Sequence, residues 1–307
     1  MGGEGGGFSL PDPPFLRPGA AGWALARGGP AVLEHEEPFG PLRPTDPHEA
    51  RGRSAPMNVD STLTLLGAGL LAGAMNAAAG GGSFISIPAM VFVGLPSVAA
   101  NASSTVALLP GTLASAWAWR RDYRSLHGIS SRTLLAISFA GGLAGALLLL
   151  ATSSRAFDRL LPWLMLLGTL AFAFGRPLGA ALRARVQIGR GAMLGAQVLL
   201  SIYAGYFGGG VGIMMMAVWG LLGETDIKAM SALRTLLVSA ANLVAVICFA
   251  VAGPVHWPAT VIMLVAAIAG GYLGAILASR MPAALLRGFV ILFSSVMTAV
   301  FFWRAWA

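Results

Sequence analysis

Residues 76–108 read NAAAGGGSFISIPAMVFVGLPSVAANASSTVAL, and residues 206–238 read YFGGGVGIMMMAVWGLLGETDIKAMSALRTLLV. The second stretch repeats the pattern of the first 130 residues later, with no gap. Gly80 falls on Gly210, Gly82 on Gly212, Ala102 on Ala232 and Thr105 on Thr235. Each copy places a glycine cluster inside an apolar run, then a short apolar half-segment, then a polar cluster that opens the next long segment. In membrane proteins, glycine-interrupted segments at matching places in two halves point to a binding site at the breaks.

The composition requires lipid as the main solvent. The chain has 307 residues, 56% of them hydrophobic and 10% charged, with a mean hydropathy of +0.76. Soluble domains are nearer a quarter charged. Residues 61–307 hold 15 basic residues against four acids, while residues 1–60 hold five arginines against eight acids. The arginines lie mostly in short loops between apolar runs, which is the signature of membrane topology and not of a nucleic-acid partner. The lone Cys248 excludes an intrachain disulfide and any multi-cysteine metal site. The sequence has no HExxH, CxxC, P-loop or GxSxG element. No catalytic residue, metal site or cofactor is therefore expected.

Residues 1–56 are rich in Gly, Pro, Glu and Arg, with no sustained apolar run, and read as a disordered N-terminal extension. Met57, just ahead of the first apolar run, is an alternative start. Beyond it, apolar segments fall at 61–79, 83–94, 98–118, 132–151, 159–175, 191–207, 211–222, 228–252, 258–278 and 284–303. A spanning helix needs about 20 residues. Segments 83–94 and 211–222 are too short to cross, and each follows a glycine cluster. The expected fold is an all-α polytopic membrane protein of about 8 spans plus short half-helices. Its first repeat covers 57–176, a basic loop 177–190 and the second repeat 191–307. Arginines in 119–132 and 176–190 put both loops on the cytoplasmic face. Five elements per repeat make the second repeat inverted, with both termini outside. Gly141, Gly142 and Gly145 recur as Gly270, Gly271 and Gly274, and with Gly191 and Gly195 they read as helix-packing positions.

The chemistry follows from the breaks. Gly80, Gly81 and Gly82 precede a half-helix that starts at Ser83, and Gly208, Gly209, Gly210 and Gly212 do the same in the second copy. A helix N-terminus offers unpaired N–H groups and partial positive charge, and glycine lets a ligand reach them. The polar cluster Asn101, Ser103, Ser104 and Thr105 is answered by Ser231, Arg234 and Thr235. Asn76 and Tyr206 precede the two breaks at equivalent positions, either to bond a substrate or to stitch the broken helix. Arg234 lies roughly 9 Å along its helix from Lys228. An arginine at that depth costs at least ~2–3 kcal/mol unless paired or wet. Its planar, permanently charged fork suits an oxyanion; snorkelling to the interface is the bland alternative. Asp60, Asp122, Asp158, Glu224 and Asp226 all fall in loops or at span ends, so no carboxylate proton relay is expected.

The two glycine motifs and the polar runs that follow them, to Gly111 and Asn242, resemble the signature repeats of the sulfite exporter TauE/SafE family of membrane permeases. The resemblance covers about residues 61–305 and implies a carrier in the bacterial inner membrane for small sulfur-containing or organic anions. By that resemblance, Gly80–Gly82 and Gly208–Gly212 are similar to the family's glycine turns. Asn101 to Thr105 look like its first polar run, and Arg234 like the basic residue of the second. Thiosulfate uptake in the family is associated with cysteines, which Cys248 alone fits poorly. The expected partners are a small anionic substrate and membrane lipid, with no nucleic acid, and a homo-oligomer stays open. An anion channel of the same architecture, or a membrane partner without transport, are the rival readings.

Overall fold

In hydrocarbon, backbone groups find no water, so an apolar run must satisfy its own hydrogen bonds as a helix. The computed structural model describes residues 58–125, 128–183, 189–221, 223–224, 226–278 and 283–306. Among them are ten α-helices: α1 (Val59–Ala79), α2 (Ser83–Phe92), α3 (Ser97–Ala118), α4 (Ser131–Ala151) and α5 (Ser154–Arg183), then α6 (Arg190–Tyr206), α7 (Val211–Leu221), α8 (Ile227–Ala252), α9 (Trp257–Ala278) and α10 (Ala283–Trp306). The N-terminal extension and Met57 lie outside the described residues.

Among the described residues, five helices are long and apolar enough to cross a membrane: α4, α5, α8, α9 and α10. The expected eight spans add α1, α3 and α6, of 21, 22 and 17 residues, which are richer in small and polar side chains. The half-helices α2 and α7 have only 10 and 11 residues. Leu147, Leu148, Leu199, Val251 and Leu292 stand exposed on the outer surface. Apolar exposure on this scale is a lipid-facing surface.

One helix runs into the segment read from sequence as the basic loop 177–190. Helix α5 continues to Arg183, past the apolar stretch that ends at Gly175. Alanine, leucine and arginine are strong helix formers, so hydropathy ends the span before propensity ends the helix. Of the expected basic loop, 184–188 fall outside the described residues.

The inversion is visible where equivalent helices touch. Helices α3 and α8 run antiparallel: Ser239 Oγ donates to the Thr112 carbonyl at 3.0 Å, and Lys228 Nζ meets Asp122 at 2.8 Å. Helices α5 and α10 do the same. Arg287 Nε and Nη2 donate to the carbonyls of Phe172 and Ala173 at 3.1 and 2.9 Å, and the Trp163 and Phe302 rings lie 5.0 Å apart toward the other end. Equivalent helices pointing in opposite directions are what an inverted repeat produces.

Small residues close the repeats. A Cβ on Gly145 of α4 would stand 2.0 Å from the Ile202 carbonyl oxygen of α6, and one on Gly270 of α9 2.0 Å from the Leu70 carbonyl oxygen of α1. The pairs α4/α6 and α9/α1 are equivalents, so the same helix pair is closed through glycine in each repeat. Only backbones without a Cβ approach so closely. Gly191 and Gly195 do not share this role, because a Cβ on either would meet nothing within 4 Å among the described residues. Glycine spacing alone does not reveal whether the helix face is occupied.

Candidate functional site

Each glycine cluster is the tip of a helical hairpin. Helix α1 ends at Gly80, whose φ of 76° is left-handed and whose N–H returns to the Asn76 carbonyl at 2.9 Å. The chain then doubles back so tightly that a Cβ on Gly82 would lie 2.6 Å from the Ala72 carbonyl oxygen. In the second hairpin, Gly208 and Gly210 are both left-handed, with φ of 79° and 75°. Tyr203 Oη donates to the Gly209 carbonyl at 2.9 Å near the tip. Further back, the Trp219 indole N–H meets Gln197 Oε1 at 3.3 Å, so α7 returns alongside α6. Glycine supplies left-handed backbone without the steric cost any other residue carries.

The two tips meet over one aromatic ring and one guanidinium. Phe172 of α5 lies 3.1 Å from a Cβ built on Gly81 and 3.5 Å from one built on Gly210. Arg234 Nη1 lies 3.8 Å from a Cβ built on Gly80 and 3.1 Å from one built on Gly212. The cation therefore stands between the breaks of both repeats. Beside it is a cavity of about 240 Å³, lined by residues from both halves. A water occupies about 30 Å³ of liquid, so roughly eight waters, or a small ion with part of its hydration, fit there.

Of the residues singled out in the sequence, Asn76, Gly80, Ser83, Thr105, Gly208, Gly212, Ser231, Arg234 and Thr235 line this cavity. Thr105 and Thr235, equivalent by the repeat, both donate back to carbonyls four residues earlier, at 2.8 Å each. That leaves their oxygens as acceptors and their methyls as walls. Ser83, Ser231 and Asn76 make no side-chain hydrogen bond among the described residues, so their donors remain available to a ligand. Among the described lining residues, Arg234 is the charged side chain and none is an acid.

The remaining expected site residues lie elsewhere. Asn101 is buried, and its Nδ2 donates to the Tyr206 carbonyl at 2.8 Å, one of the carbonyls that the end of α6 leaves unpaired. Ser104 pairs with Ser86 at 2.5 Å. The Tyr206 ring packs on Phe157, and its hydroxyl donates to Thr152 Oγ1 at 3.3 Å. Gly81, Gly82, Gly209 and Gly210 are buried in the hairpin tips, against Phe172, Ala72, Phe207 and Gly168 respectively. All seven hold the broken helices together and do not line the cavity.

Other lining residues carried little signal in the sequence: Ala77, Leu108, Thr112, Ser115, Trp119, Phe207, Val211 and Val238. Repeat arithmetic could have found some of them. Thr105, Leu108, Thr112, Ser115 and Trp119 follow helical spacing on one face of α3. Asn242 lines the cavity as the equivalent of Thr112, and its buried Oδ1 has no partner among the described residues.

The sequence profile of the family described as sulfite exporter TauE/SafE matches residues 65–301, the whole two-repeat region that builds this cavity. The chain belongs to that family. Among its relatives is a "Probable membrane transporter protein" of Haemophilus influenzae, 30% identical over 246 residues, which cover 79% of this chain and 95% of the relative. Another is the "Probable membrane transporter protein YfcA" of Escherichia coli K12, 27% identical over 231 residues, covering 75% and 85%. No solved structure matches the chain. These relatives are named as probable membrane transporters, and this chain is a multi-pass membrane transporter and not an enzyme.

Proposed function

We propose that this TauE/SafE protein is a bacterial inner-membrane permease for small anions of the sulfur-oxyanion, sulfonate or short organic-acid class. The anionic head binds beside Arg234, in the cavity between the two hairpin tips. Ser83, Ser231 and Asn76 supply further hydrogen bonds, and water fills the rest. The observation that supports this reading is the position of the Arg234 guanidinium between the glycine breaks of both repeats, beside the cavity that both halves line. A guanidinium in a low-dielectric pocket favours an anion more strongly than one in water does.

The test is uptake of sulfite, sulfate, thiosulfate, sulfoacetate and short carboxylates into proteoliposomes, with wild type beside Arg234→Ala and Arg234→Lys. A charge-assisted hydrogen bond is worth about 1.5–3 kcal/mol, so KM for the transported anion rises roughly 10- to 150-fold in Arg234→Ala. Arg234→Lys keeps the charge but loses the fork, and lies between. Saturable counterflow separates a permease from an anion channel. Equal flux in all three proteins would overturn the site.

A further inference from the structure

The cavity is built from equivalent faces of α3 and α8, and those faces are not in the same state. On α3, Thr105, Thr112, Ser115 and Trp119 are partly exposed to the cavity. The same face continues back through Ser104, Asn101 and Ser97, which are only 1%, 1% and 3% exposed. On α8 the pattern is reversed. Ile227 is 67% exposed, and Ser231 and Arg234 line the cavity. Farther along, Ala245 and Phe249 are both 0% exposed.

With the repeat offset of 130, Ile227 answers Ser97, Ser231 answers Asn101, and Arg234 answers Ser104. Ala245 and Phe249 answer Ser115 and Trp119. These five pairs, at the two ends of the face, are each open on one helix and sealed on the other, whereas its middle, Thr105/Thr235 and Thr112/Asn242, lines the cavity on both helices. The open ends of α3 and α8 are the ends that meet at the Lys228–Asp122 pair, so the cavity opens toward the arginine-rich 119–130 loop. The far side is closed by named bonds. Asn101 Nδ2 holds the Tyr206 carbonyl of the second hairpin at 2.8 Å, and the His256 N–H donates to Ser103 Oγ at 2.9 Å. The repeat counterparts of Asn101 and Tyr206 are Ser231 and Asn76, and both face the open cavity.

We propose that the two repeats hold complementary halves of a transport cycle, with Asn101 and Ser231 as alternating latches. In the state described here, Asn101 latches the far side on the second hairpin. In the other state, the repeats exchange conformations. Asn101 then releases Tyr206, Ser231 closes on the first hairpin at Asn76, and the cavity opens past Ala245 and Phe249 on the opposite face. Two packings of one sequence that differ by a few contacts form the bistable element such a switch requires. The inference rests on the permease reading and adds the residues that decide which face has access.

The experiment uses the full chain with Cys248→Ser and a single cysteine at Ser115 or Ala245. A membrane-impermeant maleimide is added to one face at a time of oriented vesicles. In the otherwise wild-type protein, Ser115→Cys reacts from the arginine-loop face and Ala245→Cys reacts slowly. Adding Asn101→Ala raises the Ala245→Cys rate at least severalfold from the opposite face, and lowers that of Ser115→Cys. Ser103→Ala removes the second closure independently and moves both rates in the same direction. The proposal is overturned if Ala245→Cys stays unreactive in both variants, or reacts from the same face as Ser115→Cys. No anion is needed for labelling, so absent flux with shifted labelling rejects the anion site alone, and normal flux with fixed labelling rejects the latches alone.

Discussion

Gly212→Ala separates the site from the scaffold. Gly212 lies in the first turn of α7 with no left-handed φ, so alanine there carries no backbone strain. Replacing helical glycine with alanine favours the fold by up to about 1 kcal/mol. The new Cβ, however, would stand 3.1 Å from Arg234 Nη1 and 3.5 Å from its Cδ. Comfortable contact begins near 3.5 Å, so the guanidinium must retreat by about 0.4 Å or more. A charge-assisted hydrogen bond worth about 1.5–3 kcal/mol that is stretched this far loses roughly 1 kcal/mol. The expected result is a KM about fivefold higher in proteoliposome counterflow, with Tm in detergent unchanged or raised. Gly80→Ala is the contrast. Its Cβ would be a comfortable 3.8 Å from Arg234 Nη1, but its φ is +76°. Left-handed backbone costs a non-glycine residue about 1–2 kcal/mol, so this variant lowers Tm more than it raises KM. An unchanged KM in Gly212→Ala, with the fold intact, would refute the claim that Arg234 holds the substrate where it stands.

Two further outcomes test the packing and the loop contacts. Gly145→Ala drives a Cβ to 2.0 Å from a backbone oxygen of α6, while Gly195→Ala meets open space. Thermal unfolding should therefore show a loss of about 1–3 kcal/mol for the first and none for the second. Equal effects would mean that α4 and α6 do not pack through Gly145. Lys228→Ala breaks the pair with Asp122, whose side chains are 66% and 30% exposed. Such a pair is worth at most about 1 kcal/mol and is screened by salt. Tm should shift by no more than a few degrees at low salt and not at all at high salt, and a larger, salt-independent drop would contradict a solvated pair.

Much of the architecture was legible because hydropathy and glycine act locally. The short segments 83–94 and 211–222 became half-helices Ser83–Phe92 and Val211–Leu221, since a chain too short to cross must turn where glycine allows it. The end of α5 was less legible because the helix persists after the apolar stretch stops. Within the site, the sequence identified polar residues near the breaks but not their directions. Asn76 and Asn101 look equally suited to a ligand, yet one faces the cavity and the other holds a carbonyl of the opposite repeat. Gly145 and Gly195 look like the same packing device, yet only one meets a neighbour.

The sequence by itself determined the membrane class, the two repeats, the position of the breaks and the single arginine near them. These depend on residue type and spacing along one chain. Tertiary structure decided which equivalent residue is open and which is sealed. That depends on how two repeats of opposite direction close against each other, because one cavity cannot be open equally to both faces when the same helix faces must also form its seal.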